Sequence, residues 1–363
     1  MIEALFFSYI ICLGATAIVS FHFGASDGFV KILYWFFSAP LLLFTIFRPI
    51  GLARDDDAYL SIFDAINSDS IGAHIISIRD PLWYLVAFVG KSLWADVRVL
   101  LLISAMGLLI KLMALGFAAG RNKLLALLMY ACIYWQLHDL SQLRVSLSMA
   151  FFIVFLYLMS IQEKRLASIT LVISSLFHIQ ALANLLLLIK RPAIKRFTVS
   201  VAGALVVGVI FLGFYPSLDS VSDVLINSLG VEAISRLFGS YYIIADSDGD
   251  AGGFNPPLIF IASVFCYGIA IAGMGGQDFV RPMFQISARS ILYAIGLAWL
   301  FASLSDVQVR FYEYYFAGGL FLTGQIKSKI SFYSLACLSA LYFAKFNLLW
   351  KIWDVAILNA WLS

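Results

Sequence analysis

Apolar runs close to the length of a membrane crossing dominate the chain, and short polar or basic breaks separate them. A bilayer core about 30 Å thick takes on the order of 20 apolar residues in a helix. Runs of nearly that length fall near 4–21, 29–47, 99–119, 124–137, 145–161, 166–190, 197–215, 256–274, 287–304, 309–325 and 330–345. The run 166–190 is too long for one crossing and carries His178 in its middle, which predicts a helix rising to His178 and a shorter returning piece, 180–190. The last stretch, 347–361, contains Lys351 and Asp354 and reads as a final span or an interfacial helix. The segment from Pro81 to Trp94 is short, with Lys91 near its end and tryptophans at both ends. It predicts an interfacial or re-entrant helix rather than a full crossing.

The basic residues support that reading. With the N-terminus outside and 81–94 not crossing, the inner side receives Lys31, Arg121, Lys123, the pairs at 164–165, 190–191 and 195–196, Arg281, Arg289, Lys327 and Lys329, joined only by the acids Asp27, Glu163 and Asp278. The outer side receives most of the acids, as the positive-inside rule requires. A full span at 81–94 would invert the later basic loops. Two outer loops are then long, 48–98 and 216–255, and loops of that length usually carry function or are disordered. In the first, Tyr59, Leu60, Ile62, Phe63 and Ile66 recur at helical spacing, predicting an amphipathic helix lying on the membrane surface. In the second, a helix-like stretch, 221–242, precedes the acidic, Gly-rich segment 246–253, which has turn chemistry.

Composition agrees with the pattern: 62% of the 363 residues are hydrophobic and 12% charged, where a soluble domain carries roughly 25% charged residues. Soluble enzymes, nucleic-acid binders and disordered scaffolds are excluded. The four cysteines, Cys12, Cys132, Cys266 and Cys337, sit inside apolar runs as small hydrophobes and show neither a disulfide framework nor metal spacing. The opening Met1-Ile2-Glu3 lacks the positive region of a cleavable signal, so the first apolar stretch is expected to be retained. There is no soluble domain and no internal repeat. The expectation is an all-α polytopic membrane protein, one integral domain over 1–363 with about 11 to 13 transmembrane helices.

Ionisable groups at membrane depth are costly and therefore face a cavity or a partner. In this topology Asp55, Asp56, Asp57, Asp80, His138, Asp139, Arg144, His178, Arg236, Asp306, Arg310 and Glu313 all gather on the outer side, which points to one outward-facing site. Lys111, in mid-span, is the exception. Arg144 heads a span and reads either as an anion-binding fork or as an anchor, snorkelling or paired with Asp139. Arg310 heads another span and reads either as a second anion ligand or as the i, i+4 partner of Asp306. Arg236 is either a ligand or a solvated loop charge. His178, between two apolar half-helices, is either a general base or a buried imidazole satisfied by a carbonyl. The run Asp55 to Asp57 is either a solvated loop or a set of oxygen ligands for a divalent cation. No P-loop, dinucleotide glycine motif, HExxH or nucleophile elbow is present, and no cofactor is indicated.

The order of these residues across roughly 45–325 resembles the EpsG-like Wzy family of bacterial O-antigen and exopolysaccharide polymerases. Asp55 and Tyr59 match the family's acid followed four residues later by Tyr, and Asp80-Pro81-Leu82-Trp83-Tyr84 looks like its acid-Pro-x-aromatic-Tyr segment. Arg144 opens a span ahead of the small residues Ser146, Ser148 and Ala150. Phe177-His178 ends the next helix, and Arg310-Phe311 with Tyr314 looks like the late Arg-aromatic-x-x-Tyr. Val145 stands where Gln is commoner, so Gln142 is expected to supply that hydrogen bond. The resemblance implies a GT-C-like fold in the inner membrane and a glycosyltransferase site facing the periplasm. Its donor and acceptor would be oligosaccharides on undecaprenyl diphosphate, and a chain-length regulator would be a further partner. Arginines would hold the diphosphate, a base drawn from His178, Asp139 and Glu313 would take the hydroxyl proton, and acids and aromatics would bind sugar. An O-antigen ligase has similar requirements. A lipid-linked oligosaccharide flippase would instead spread cations along a central path and show repeated halves.

Overall fold

The computed structural model describes residues 2–53, 55–67, 71–72, 80–188, 258–274, 278, 281–300 and 312–345, and every regular element among them is helical. The predicted span 197–215, the long loop 216–255 with Arg236, the terminal stretch 347–361 and Arg310 lie outside the described residues. The chain opens with α1 (Ile2–Phe23) and α2 (Asp27–Phe47), then α3 (Asp56–Ala65) and α4 (Pro81–Leu93). The next helices are α5 (Arg98–Ala118), α6 (Lys123–Tyr130), α7 (Leu143–Ser160) and α8 (Lys164–Phe177). The last are α9 (Leu258–Ala272), α10 (Pro282–Leu300), the single turn α11 (Gly319–Leu322) and α12 (Lys329–Ala344). Leu5–Phe23, Asp27–Phe47, Arg98–Ala118 and Leu143–Ser160 are long and apolar enough to cross a membrane, and Ile259–Ala272 and Lys329–Ala344 are shorter apolar helices.

Burial separates these helices into a centre and a rim. α5 and α7 are mostly buried, whereas α1 and α2 turn Ile11, Phe23, Phe29, Ile32, Phe36 and Phe47 outward. Large exposed apolar faces are incompatible with water but suit lipid, which has the same polarity as the side chains. In lipid the driving force between helices is close packing and internal hydrogen bonding. Accordingly Gly107 of α5 lets Leu147 of α7 approach so closely that an added Cβ would lie 2.9 Å from it. Tyr34 of α2 donates to the carbonyl of Leu112 at 2.6 Å, tying the rim to the centre.

α6 runs without a break into a π-helix, Ala131–Ser141, which ends at Gln142. π-helical geometry is rare and commonly found at functional sites. α7 and α8 pack antiparallel across a tight turn, where Gln162 takes φ 71°. The chain leaves α8 at His178, as the sequence pattern predicts, but continues as a 3-10 helix, Ile179–Leu187.

α4 has 13 residues, about 20 Å at the helical rise, which is short of a bilayer crossing. α3 forms where the spacing predicts a helix, but its apolar face does not lie on the membrane surface. Tyr59, Phe63 and Ile66 are buried against Trp83, Ala87, Leu100, Leu143, Leu147 and Phe177 in a small core of their own. The reason is the end of α3: Lys91 of α4 donates to the carbonyls of Phe63, Asp64 and Ile66 at 2.5, 3.1 and 3.0 Å. That ammonium satisfies carbonyls a helix end would otherwise leave orphaned and fixes α3 to α4.

Candidate functional site

Two rows of polar side chains face each other where α7 begins and α8 ends. Arg144 and Ser148 are one turn apart on α7 and share a helix face, and His178, the residue that follows α8, donates its backbone N–H to the carbonyl of Ser174 at 3.1 Å. The serines bridge the helices. Ser148 Oγ donates to the Ser174 carbonyl and Ser174 Oγ to the Ser148 carbonyl, both at 2.7 Å. The Tyr314 hydroxyl lies 2.5 Å from Ser148 Oγ and 2.9 Å from Ser174 Oγ, adding a third element to the crossing. All three side chains are buried.

Asp80 joins the two rows where α7 begins and α8 ends. Its Oδ2 accepts from Arg144 Nη1 at 2.9 Å, and its Oδ1 lies 3.3 Å from His178 Nδ1. Asp80 takes φ 53°, ψ 48°, a left-handed conformation that Asp tolerates better than most residues but that costs free energy wherever it occurs. Pro81 follows at the first helical position, where its missing N–H is harmless. The carboxylate therefore sits at the positive end of α4, held in a strained conformation that aims it between a guanidinium and an imidazole. The Asp80 and His178 side chains are almost fully enclosed, whereas 34% of the Arg144 side chain stays accessible. An anion approaching from outside meets the arginine first.

Aromatic groups surround this cluster. The Tyr59 hydroxyl accepts the backbone N–H of Arg144 at 3.4 Å, taking one of the orphaned donors at the start of α7. Burial raises that hydroxyl above the ordinary phenol value against the opposing pull of Arg144, so Tyr59 is a neutral donor at physiological pH. Tyr59 packs edge-on against Trp83, and Tyr84, one turn into α4, is within electrostatic reach of Arg144. Gln142 places its Oε1 3.1 Å from His138 Nδ1. His138, stacked on Tyr134, is a member of the outer gathering to which the sequence gives no role of its own. The π-helix turns it inward, with Nε2 buried and unpartnered among the described residues.

Asp139 is placed differently. It accepts from Lys111 Nζ, from the Tyr130 hydroxyl and, at 2.6 Å, from Ser146 Oγ, and Lys111 also donates to Ser146 Oγ at 2.8 Å. Lys111 and Asp139 are completely buried. The mid-span lysine thus has a partner, and the reading that pairs Arg144 with Asp139 is overturned, because Arg144 pairs with Asp80. Breaking such a pair strands a charge in the interior at about 3–5 kcal/mol, while replacing both members by apolar groups is often tolerated. Lys111→Met is expected to lower thermal stability in detergent sharply, and Lys111→Met/Asp139→Leu to recover part of the loss. Equal destabilisation by the double variant would show that the network does more than neutralise itself.

The run Asp55 to Asp57 is divided. Asp56 forms a bidentate pair with Arg48 at 2.5 and 2.7 Å and accepts the backbone N–H groups of Gly51 and Ala53 at 2.8 and 3.1 Å. Arg48 also donates to the carbonyl of Leu140 at 2.7 Å, tying the end of α2 to the π-helix. That carboxylate is spent on the fold, and Asp57 points outward, so the run does not converge on one ion. Arg48 was not among the expected site residues; its position directly after a span, eight residues before Asp56, was the available signal. Glu313 lies within electrostatic reach of Tyr134, Tyr312, Tyr342 and Lys345. The structure thus brings together Asp80, Arg144, His178, Tyr59, Tyr84 and Tyr314, and places Asp139 and Glu313 in other surroundings.

Apolar helices with lipid-suited outer faces, and charges concentrated at helix ends, define an α-helical integral membrane protein. The chain belongs to the EpsG family, which it matches over residues 31–362. Neither the curated proteins nor the solved structures give a significant match. Family membership places the chain in polysaccharide biosynthesis, with a polymerase-like, glycosyl-transferring role.

Proposed function

We propose that the protein is an O-antigen or exopolysaccharide polymerase that joins undecaprenyl-diphosphate-linked repeat units at the periplasmic face of the inner membrane. The observation that carries this reading is the convergence of Asp80, Arg144 and His178, from three separate helix ends, within the EpsG family. In the reaction, an acceptor sugar hydroxyl on one lipid-linked unit attacks the anomeric carbon of the donor chain. The carbon–oxygen bond to the diphosphate breaks, undecaprenyl diphosphate departs with the bonding electrons, and the anomeric configuration inverts. Arg144 binds the diphosphate, since a planar fork matches phosphate oxygens and gains strength where water is excluded. His178 takes the hydroxyl proton on its Nε2, because its Nδ1 faces Asp80, which fixes the ring and stabilises the imidazolium that forms. Tyr59, Tyr84 and Tyr314 offer hydroxyl and ring surfaces to sugar. Arg236 and Arg310 remain candidates for the same anion on sequence grounds, and Asp55 for sugar.

This reading carries with it a GT-C-like arrangement of about 11 to 13 transmembrane helices in a single domain. It also places loops 48–98 and 216–255 in the periplasm and gives the enzyme a chain-length regulator as partner. The test is the polysaccharide gel ladder of a deletion strain. Single-repeat lipid with intact ligation to the lipid A core is expected. Complete loss of O-antigen from the core would make the protein a ligase, and an unchanged ladder would remove it from this pathway.

A further inference from the structure

The end of the bundle opposite the Asp80–Arg144–His178 cluster holds a second polar site. α5 runs 21 residues from Arg98, so the turn that follows it lies about 30 Å from the helix end near Arg144. There a cavity of about 440 Å³ opens between the end of α1, the turn before α6 and the start of α12, with Ser20, His22, Arg121, Asn122, Lys327 and Lys329 in its wall. That volume is in the range of small-molecule sites.

The wall is built rather than accidental. Asn122 donates from Nδ2 to the carbonyls of Thr323 and Ile326 at 2.7 and 2.9 Å, pinning the segment before α12 against the turn. Gly324 makes that approach possible, since a Cβ there would lie 2.5 Å from the carbonyl oxygen of Ala118. Gly24 (φ 63°) and Gly120 (φ 51°) take left-handed conformations that shape the two turns flanking Arg121. His22 is held by the Tyr333 hydroxyl at 2.6 Å.

Among the described residues the charges at this end do not cancel. Asp27 is taken by Lys123 at 2.7 Å, and Asp278 is shared by Lys327 and Arg281 at 3.4 and 3.5 Å. Arg121 and Lys329 have no hydrogen bond or ion pair among the described residues, and both line the cavity. Two uncompensated cations converging on one concave, partly apolar pocket call for an anion with several acceptor oxygens.

We propose that this pocket binds a phosphate-bearing ligand, with Arg121 and Lys329 as its ligands. The phosphate comes either from a phospholipid headgroup, for which the neighbouring exposed Phe23 and Ile330 provide an acyl-chain surface, or from a soluble phosphate. On the positive-inside reading the site faces the cytoplasm, where basic pockets between helices hold anionic headgroups.

Thermal unfolding of the purified full-length protein distinguishes these sources. Inorganic phosphate is added against an equal ionic strength of chloride, and separately phosphatidylglycerol is added against phosphatidylcholine in mixed micelles. At least one is expected to raise Tm, because a ligand that binds only the folded state stabilises it. Phosphatidylglycerol alone identifies a headgroup site and inorganic phosphate a soluble-anion site. Arg121→Gln/Lys329→Gln is expected to weaken that binding by about tenfold or more, while Arg121→Lys/Lys329→Arg retains most of it. Lys329→Gln alone, at an exposed helix start, gives the same comparison if the double variant does not fold. No Tm shift with either ligand, or an equal shift in wild type and the Gln variants, overturns the proposal.

Discussion

Arg144→Lys is expected to abolish most polymerisation, by about 10²- to 10³-fold, the loss seen when a preorganised donor to a developing negative charge is removed, while the protein remains folded in the membrane. The substitution keeps the positive charge but removes the fork. Nη1 holds Asp80 at 2.9 Å, and the accessible remainder of the guanidinium faces outward, so one side chain can hold its internal partner and still offer parallel donors to a phosphate. An ammonium is a point charge and, drawn to Asp80, has little left to present. Repeat-unit polymerisation in membranes from a complemented deletion strain, with immunoblotting for protein level, makes the measurement. Normal polymerisation by Arg144→Lys would reduce Arg144 to an anchor for Asp80 and remove it from the chemistry.

His178→Ala and His178→Gln should each lower the rate by about 10²- to 10⁴-fold, the contribution of a positioned base, with single-repeat lipid accumulating. Gln matches the imidazole in donors and acceptors but cannot take a proton, which separates catalysis from hydrogen bonding. Asp80→Asn provides the companion measurement. It leaves the carbonyl oxygen for one partner but withdraws the charge that stabilises the imidazolium, so its loss should fall between that of the wild type and that of His178→Gln. If His178→Gln polymerises normally, the proton goes elsewhere. His138, buried in the π-helix within electrostatic reach of His178 and with no partner for Nε2 among the described residues, then becomes the first residue to substitute.

Much of this site was legible in the sequence because its residues stand at breaks in apolar runs, where a charge has to be explained. Arg144 opens a hydrophobic stretch and His178 interrupts another, and Asp80-Pro81 marks a helix start by composition alone. Ser148 and Ser174 lie one turn from those charges, and their fit becomes visible only when α7 and α8 are laid side by side. Other features depend on distances between helices that no local pattern contains. Lys111 and Asp139 are 28 positions apart, and nothing near either residue announces the other. Arg48 reads as a loop charge until the π-helix brings Leu140, and the start of α3 brings Asp56, against it. The face of α3 was correctly periodic, but periodicity cannot tell a lipid surface from a protein surface. The ammonium of Lys91 on the carbonyls at the end of α3 decides between them.

The carboxylate of Asp80 already occupies part of the arginine that an incoming diphosphate would use. At rest the guanidinium and the carboxylate offset one another, so that pair presents little net charge to an incoming anion. A substrate anion entering it competes with a tethered rival that never diffuses away. On the proposed function, binding is then weaker than to a lone arginine, and a departing lipid diphosphate would be released more readily for the same reason. An enzyme that adds many units in succession gains from such a rival, because each cycle ends with a tightly charged leaving group that must be cleared before the next donor arrives. Asp80→Asn should therefore slow proton transfer and also lengthen the residence of the diphosphate product, so that affinity for it rises while turnover falls.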